Sequence, residues 1–518
     1  MQGTCHRRKR VERRFPALRR RRSGRTRTAI RTMRRAAFAR LHRLPLARRE
    51  TAMSRVRSGL LFAVMLLVVG AIVAALAVRQ RSPRPDVLLV IVDTLRADRL
   101  PAYGYASAKT PALDRLAREG VVFERAIAAS GATLPSHASM FTSRWVRQHS
   151  IGHSNGSTVL DHRDTLAEHF RRGGYATAAF VSNIMLNRTT GIGRGFEVYD
   201  DELPVQEPNR PEFFERPAQA TTQRAIRWLW RNASRPVFLV VHYQDPHGPY
   251  TPPPSRPGAP PPPELQSPAD EPRLSVNPTQ SGYEGIPNYQ ALPGLDRPSQ
   301  YESRYVGEIM SMDQWLGRLL TAFRRHRPEA EHVILFTSDH GESLGEEDHW
   351  FEHGHTTTPD VSHIPFILQA PGIAPGRIDR PVSQVDVMPT LLELAGLPVP
   401  DGVAGIALGP YLREGRATPE RTLFCDLGFE TASYRDGEFV RIQFPSSGSG
   451  DRAAFGKADV GRYEWKESGP WTRKEGKPDV DGETRSYFSK LAPRHEVESS
   501  TIPADRLRAL GYLDPEGG

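Results

Sequence analysis

Four short runs of β-branched and aliphatic residues constrain this chain more than any other feature. They are Val87 to Val92 (VLLVIV), Thr177 to Val181, Val237 to Val241 (VFLVV) and Val333 to Phe336 (VILF). Each is too short for a buried helix and has no polar alternation, so each reads as a strand covered on both faces, the signature of a largely parallel sheet. Helical patterns separate them. Thr110-Pro111 supplies a cap and first-turn proline for ALDRLAREG, with Gly120 as a stop, and Asp164 opens TLAEHFRRGG, stopped by Gly173-Gly174. The pattern predicts an α/β fold with helices on both faces of the sheet. In such a sheet the functional groups gather at the carboxyl ends of the strands.

The chain of 518 residues is too long for a single core of ordinary size, so one large domain with a smaller partner is expected. Its charge of +11 is unevenly placed. Residues 1–57 hold 21 Lys and Arg against two acids, which leaves −8 for the rest, so no nucleic-acid partner is expected for the folded part. From Leu60 to Val78 run 19 uncharged residues, about 29 Å as a helix and enough to span a bilayer. We read residues 58–79 as a membrane anchor, with the basic amino end cytoplasmic and the folded part on the extracytoplasmic side. A cleaved signal, with Ala75 and Ala77 near the cut, is the alternative reading. The Arg-rich arm shows no apolar period, and Met53 begins a conventional Met-Ser-Arg-Val-Arg leader, so the start of translation is expected at Met53. Only Cys5 and Cys425 occur, which excludes cysteine-based metal sites and makes a structural disulfide improbable.

Residues 84–412 form the expected catalytic domain. Within it, residues 246–298 are crowded with prolines and read as a long surface loop or lid. Residues 413–518 form the smaller C-terminal α+β domain, with strand-like pieces at Arg421 to Cys425 and Phe439 to Phe444 and a helical tail from Ala504 to Leu513.

Acids and imidazoles stand where the sheet should present them. The first strand ends in Asp93, the strand at Val333 in Ser338-Asp339-His340-Gly341, and the strand at Val237 runs into His242, Asp245 and His247. A second imidazole cluster, His349, His353 and His355, follows. An Asp at one strand end is most often a cap or loop residue. Carboxylates together with imidazole instead suit a divalent metal ion, and the imidazole favours Zn or Mn over Ca or Mg. A hydroxyl at Thr133 precedes a helix expected to start near Pro135, whose free N–H groups and dipole suit an alkoxide and an anionic substrate. Taken alone, that threonine would pass as an ordinary cap.

With these residues in view, the chain from Arg84 to Gly518 resembles the sulfatase and alkaline phosphatase superfamily. The landmarks run in order: VLLVIVDTLRADRL, TPALDRLAREGVVFERA, ATLPSHASMFT, GYATAAFVSN, VHYQDPHGPY, TSDHGESLGEEDHWFEHGH and QVDVMPTLLELAG. The resemblance implies an alkaline-phosphatase/sulfatase-like mixed sheet between helices, and an ester hydrolase that works on sulfate or phosphate esters through a covalent intermediate. It assigns the metal to Asp93, Asp339 and His340, with Thr133 as a fourth ligand and the nucleophile. His247 matches the position that contacts the substrate anion and protonates the leaving group. His353 and His355 both fall near the family's substrate-binding Lys or His, and the sequence does not choose between them. Asn183 is either an anion contact or a strand-end turn residue.

Sulfatases carry Cys or Ser, any residue, Pro, any residue, then Arg, and oxidise the first residue to formylglycine. Here the five positions are Thr133, Leu134, Pro135, Ser136 and His137. The threonine β-carbon already bears a methyl group, so that aldehyde cannot form and no formylglycine is expected. Phosphoester cleavage, diesters in particular, is therefore favoured, with an envelope phospho-head-group transferase as the alternative. The expected partner is an anionic ester: a small molecule, a glycan or a lipid head group. A second ion at Asp245, His247 and His355 is conceivable, but the short Asp-to-His spacing favours a single metal.

Overall fold

The computed structural model describes residues 84–152, 164–207, 209–232, 234–253, 270–435, 437–444, 459–464, 472–474 and 482–489, together with Met65. The anticipated anchor, the arm before it and the helical tail at Ala504 to Leu513 lie outside the described residues, as does the middle of the proline-rich segment. Among the described residues no helix is long and apolar enough to cross a membrane.

The four apolar runs all become strands. They are β1 (Asp86–Val92), β3 (Ala176–Phe180), β5 (Val237–Tyr243) and β6 (His332–Ser338). The sheet is completed by β2 (Val121–Ile127), β4 (Val198–Asp200), β7 (His363–Gln369), β8 (Gly376–Ile378) and β9 (Val382–Ser383). Nine strands lie in the order β8-β2-β7-β6-β1-β5-β3-β4, with β9 also beside β2. β7 runs antiparallel to both its neighbours and every other pairing is parallel, so the sheet is mixed. β1 lies at its centre, Val92 aligned with Ser338 of β6 on one side and Tyr243 of β5 on the other. That register places the residues after β1, β5 and β6 side by side.

The strands bury alternate residues into two cores. Val87, Leu89 and Ile91 face one, shared with α2 (Thr133–Thr142), α3 (Leu166–Arg172) and α6 (Val387–Leu394); Leu88, Val90 and Val92 face the other, shared with α1 (Pro111–Glu119), α4 (Ala218–Arg231) and α5 (Pro298–His326). Each such aliphatic side chain contributes about 1.5–3 kcal/mol on leaving water, which is why the runs carry no polar residue.

Two helix starts differ from expectation. The helix after Asp164 is capped by Thr165, whose hydroxyl accepts from Glu168 N while Glu168 accepts from Thr165 N; this reciprocal pairing satisfies two free donors and moves the start one residue on. The helix expected near Pro135 begins at Thr133, after Ala132. Pro135 fits its first turn because no intrahelical N–H is needed there.

Beyond α6 the chain forms an antiparallel sheet of five strands, β10 (Leu423–Asp426), β11 (Glu430–Arg435), β12 (Glu438–Gln443), β13 (Asp459–Glu464) and β14 (Thr472–Arg473), followed by α7 (Gly482–Ser489). Cys425 is a fully buried apolar residue of its core, which also takes in Ile127, Ala129, Trp145 and Val385 from the large sheet and its loops. The proline-rich segment, where described, contributes a short parallel pair, Val276–Asn277 with Ile286–Pro287.

Candidate active site

The carboxyl edge of the large sheet collects one buried cluster. Asp93 follows β1, and Asp339 and His340 follow β6; each offers a ligand atom within 4.8 Å of the others. His340 Nε2 lies 3.9 Å from Asp93 Oδ1 and 3.6 Å from Asp339 Oδ2. Thr133 Oγ1, on the first residue of α2, is 3.3 Å from the same nitrogen. His340 Nδ1 donates to Gly341 O at 3.0 Å, so Nε2 keeps its lone pair turned into the cluster. Gly341 is required here: a β-carbon would meet Asp360 O at 2.1 Å.

The cluster fits a divalent metal ion. Asp93 Oδ1 and Asp339 Oδ2 are buried without a hydrogen-bond partner, a costly state for carboxylate oxygens unless a cation meets them. Burial and the charge of Asp93 push the Asp339 carboxyl well above its usual range. For Asp93 burial acts upward too, but His242, His247 and His340 together hold it below that range. Asp93, Asp339, His340 and Thr133 are the residues placed to hold such an ion.

Further side chains fix these groups. Gln384 donates to Ser338 O and Asp339 O at 2.9 and 2.6 Å and accepts from Ala129 N at 2.8 Å, tying β6 to the loop that leads to Thr133. Asn183 donates to Asp93 Oδ2 at 2.7 Å and accepts from Met185 N at 2.8 Å. Its amide is thus engaged in a turn and in orienting Asp93. His242 Nε2 is 3.5 Å from the same Asp93 oxygen. His137, at the position where sulfatases have Arg, donates from Nδ1 to Thr133 O at 2.8 Å; burial and the neighbouring His242 lower its pKa to about 3, so it carries no positive charge.

The imidazoles divide into two groups. His353 lies over His340, ring centroids 4.5 Å apart, and 5.2 Å from His247. Its Nδ1 is 3.1 Å from Glu342 Oε1. Burial raises the Glu342 carboxyl and would lower the His353 imidazolium, but the pairing reverses the second effect and His353 sits above its ordinary value. His247 donates from Nδ1 to Gly248 O at 2.7 Å and stacks on Phe213; burial lowers its pKa to about 3, leaving a neutral ring with Nε2 as an acceptor. His355 is grouped elsewhere, with His349, Glu352 and Ser343, so of the two imidazoles open in the sequence, the structure brings His353 to Asp93, Asp339 and His340. Nor do Asp245, His247 and His355 converge: Asp245 turns to the start of α4, accepting from Ala218 N at 3.0 Å.

Glu342, Gln384 and the roles of His242 and His137 were not legible as functional. Glu342 alone left a signal, since it stands two residues after His340, where an extended chain returns to the same side.

The sulfatase family model matches residues 85–397, more than half of the chain. The chain belongs to the sulfatase family. It is 26% identical over 392 residues to an arylsulfatase of Clostridium perfringens, covering 65% of this chain and 80% of that one. It is 27% identical over 408 residues to the multifunctional alkaline phosphatase superfamily protein PehA of Trinickia caryophylli, covering 65% and 79%. Among solved structures, the phosphonate monoester hydrolase of Agrobacterium radiobacter shares the fold with a TM-score of 0.56 at 23% identity, covering 74% of this chain and 89% of that chain. The mixed α/β architecture is that of the family, and the protein is an ester hydrolase of the sulfatase family with a site suited to a metal ion.

Proposed function

We propose that this sulfatase-family hydrolase cleaves phosphate esters, diesters above all, with an unmodified Thr133 as covalent nucleophile. The observation that carries the reading is the placement of Thr133 Oγ1 at the start of α2, 3.3 Å from His340 Nε2, in a cluster where Asp93 and Asp339 each keep one buried carboxylate oxygen without a hydrogen-bond partner. A bound divalent ion, Zn or Mn by its mixed imidazole and carboxylate donors, would acidify the Thr133 hydroxyl and polarise the ester.

The chain's own residues supply the rest. Thr133 gives up its hydroxyl proton to solvent, and its Oγ1 forms the bond to phosphorus as the bond from phosphorus to the departing oxygen breaks. That oxygen takes a proton from the His353 imidazolium, which Glu342 stabilises. In the second half, water attacks the phosphorus held on Thr133 and gives a proton to His247 Nε2, the acceptor left by the hydrogen bond to Gly248 O; the Thr133 oxygen leaves and is reprotonated from solvent, a diester substrate departs as its monoester, and the proton on His247 returns to His353 through solvent. His137, neutral where the family has Arg, withdraws one positive charge from the anion, which favours a singly charged diester over a dianionic monoester. The reading also includes the anchor at residues 58–79, which would hold the catalytic domain to the extracytoplasmic face of a membrane.

Chromogenic sulfate, phosphate monoester and phosphate diester substrates, compared side by side with Thr133→Ala as the blank, test the proposal. Diester turnover lost in the blank by about 10³-fold or more supports it; unchanged turnover removes Thr133 from the mechanism, and dominant sulfate turnover overturns the preference. Adding an alcohol acceptor and finding transfer product would move the protein to the transferase reading.

A further inference from the structure

The segment His349-Trp-Phe-Glu-His-Gly-His355 presents imidazoles in two directions. His353 goes inward to His340 and His247. His349 and His355 turn instead to each other, with ring centroids 3.9 Å apart and planes within 17°, and both meet Glu352. His349 Nδ1 is in hydrogen-bond contact with Glu352 Oε1, and His355 Nδ1 lies 3.8 Å from the same oxygen. One ligand atom from each of the three falls within 4.8 Å of the others. Their side chains are 23%, 10% and 16% exposed for His349, Glu352 and His355, so an ion from solvent can reach them.

The hydrogen bonds around His355 indicate which of its nitrogens faces the cluster. Ser343 has one hydroxyl proton, and it goes to Asp360 Oδ2. In the 3.3 Å contact between Ser343 Oγ and His355 Nε2, the ring nitrogen is therefore the donor. A neutral His355 then presents its Nδ1 lone pair on the side of Glu352 Oε1, 3.8 Å away, where an ion could be shared by the two. A metal-bound imidazole has this outer arrangement, its second nitrogen donating into a chain that ends on a carboxylate, here His355 to Ser343 to Asp360.

We propose that His349, Glu352 and His355 form a second metal site, separate from the one at Asp93, Asp339 and His340, and that it takes Zn²⁺. Two imidazoles and one carboxylate are a zinc donor set, and partial exposure leaves water as the remaining ligand. Its role is to lock the segment that carries His353. The backbone is left-handed at Phe351 within that segment and at Glu347 and Asp348 just before it, with φ of 53°, 51° and 62°, a conformation that persists only where the surroundings fix it. The expectation of a single ion weighed other residues, Asp245 and His247 with His355, for a second site; it did not consider His349 and Glu352.

The test counts metal per chain in the full-length protein, stripped with chelator and reloaded with Zn²⁺, or with Co²⁺ read by its visible absorption. Wild type should hold one equivalent more than a His349→Ala, His355→Ala variant. Glu352→Gln, whose fold is checked by circular dichroism, should weaken that equivalent at least tenfold. His340→Gln should lose a different one. If wild type and the double variant bind equally while His340→Gln binds one fewer, the second site is absent and the catalytic metal stands. If the double variant loses one and His340→Gln none, the catalytic metal falls and the second site stands. Equal binding in all of them overturns both.

Discussion

The two sheets do opposite work. In the large sheet β1 and β5 are buried along their whole length, so polar groups appear only where strands end, and the ends of β1 and β6 hold Asp93, Asp339 and His340. In the antiparallel C-terminal sheet β10 and most of β11 are buried as well, but β12 is partly open: Phe439 and Ile442 are buried while Glu438, Val440 and Arg441 are partly open and Gln443 is exposed. It offers no cluster of ligands among the described residues. It grips instead: Glu430 accepts from Thr356 Oγ1, Thr357 N and Thr357 Oγ1 at 3.0, 2.7 and 2.8 Å, and Tyr434 donates to Thr357 O at 2.7 Å. The residues gripped follow directly after His353 and His355. One sheet supplies chemistry and the other holds its loop in place.

The contrast is sharpest under substitution at the catalytic edge. Asp339→Asn should cost at least about 10²-fold in metal affinity by chelator competition, and Asn183→Ala, which only orients Asp93, about 10-fold to 100-fold; equal losses would erase the distinction between holding and orienting. Glu430→Ala should cost about 3 kcal/mol in urea unfolding, since it leaves Arg441 with Glu347 alone and strands three donors from Thr356 and Thr357, and activity should fall with it. Stability lost without any change in turnover would break the idea of a grip that reaches His353.

A fourth variant probes a buried carboxyl pair beside the large sheet. Burial raises Asp245 to about 6 and raises Glu308 well above its usual range, with Asp245 as the next cause for Glu308. A carboxyl raised in the folded state adds stability below its unfolded value, and loses it as pH climbs through the folded value. Wild type should therefore lose stability between about pH 4 and pH 7 at this pair, and Glu308→Gln should flatten that slope in thermal melts. The smallest effect belongs to the rim of the second sheet: Arg462→Ala, removing a partly exposed ion pair with Glu438, should change stability by less than about 1 kcal/mol.

What could be read from the sequence follows the same division. Strands β1, β3, β5 and β6 were legible because continuous apolar character has no other explanation at that length. β7 was not, although its residues are as apolar, since nothing in HIPFILQ marks it as the strand that reverses. The 29-residue helix α5 escaped because it starts at the last proline of the segment read as a loop. In the site, Asp93, Thr133, Asp339, His340, His247 and His353 followed from strand ends and from family motifs. His355 could not be sorted from His353, because the left-handed turns at Phe351 and Gly354 redirect the side chains of HWFEHGH. Asn183, Gln384 and Glu342 act through hydrogen bonds to partners distant in the chain or across a turn, and a hydrogen bond leaves no periodicity.

The central position of β1 also sets a timetable. Val92 is paired with Tyr243 and Ser338, so Asp93 waits for Asp339 and His340 until nearly two-thirds of the polypeptide has been made, and β7, which closes β6, comes later still. Pairings this far apart in sequence form slowly and late. A chain shorter than this has no assembled site with which to capture an ion, so metal selection is deferred until most of the polypeptide has been made.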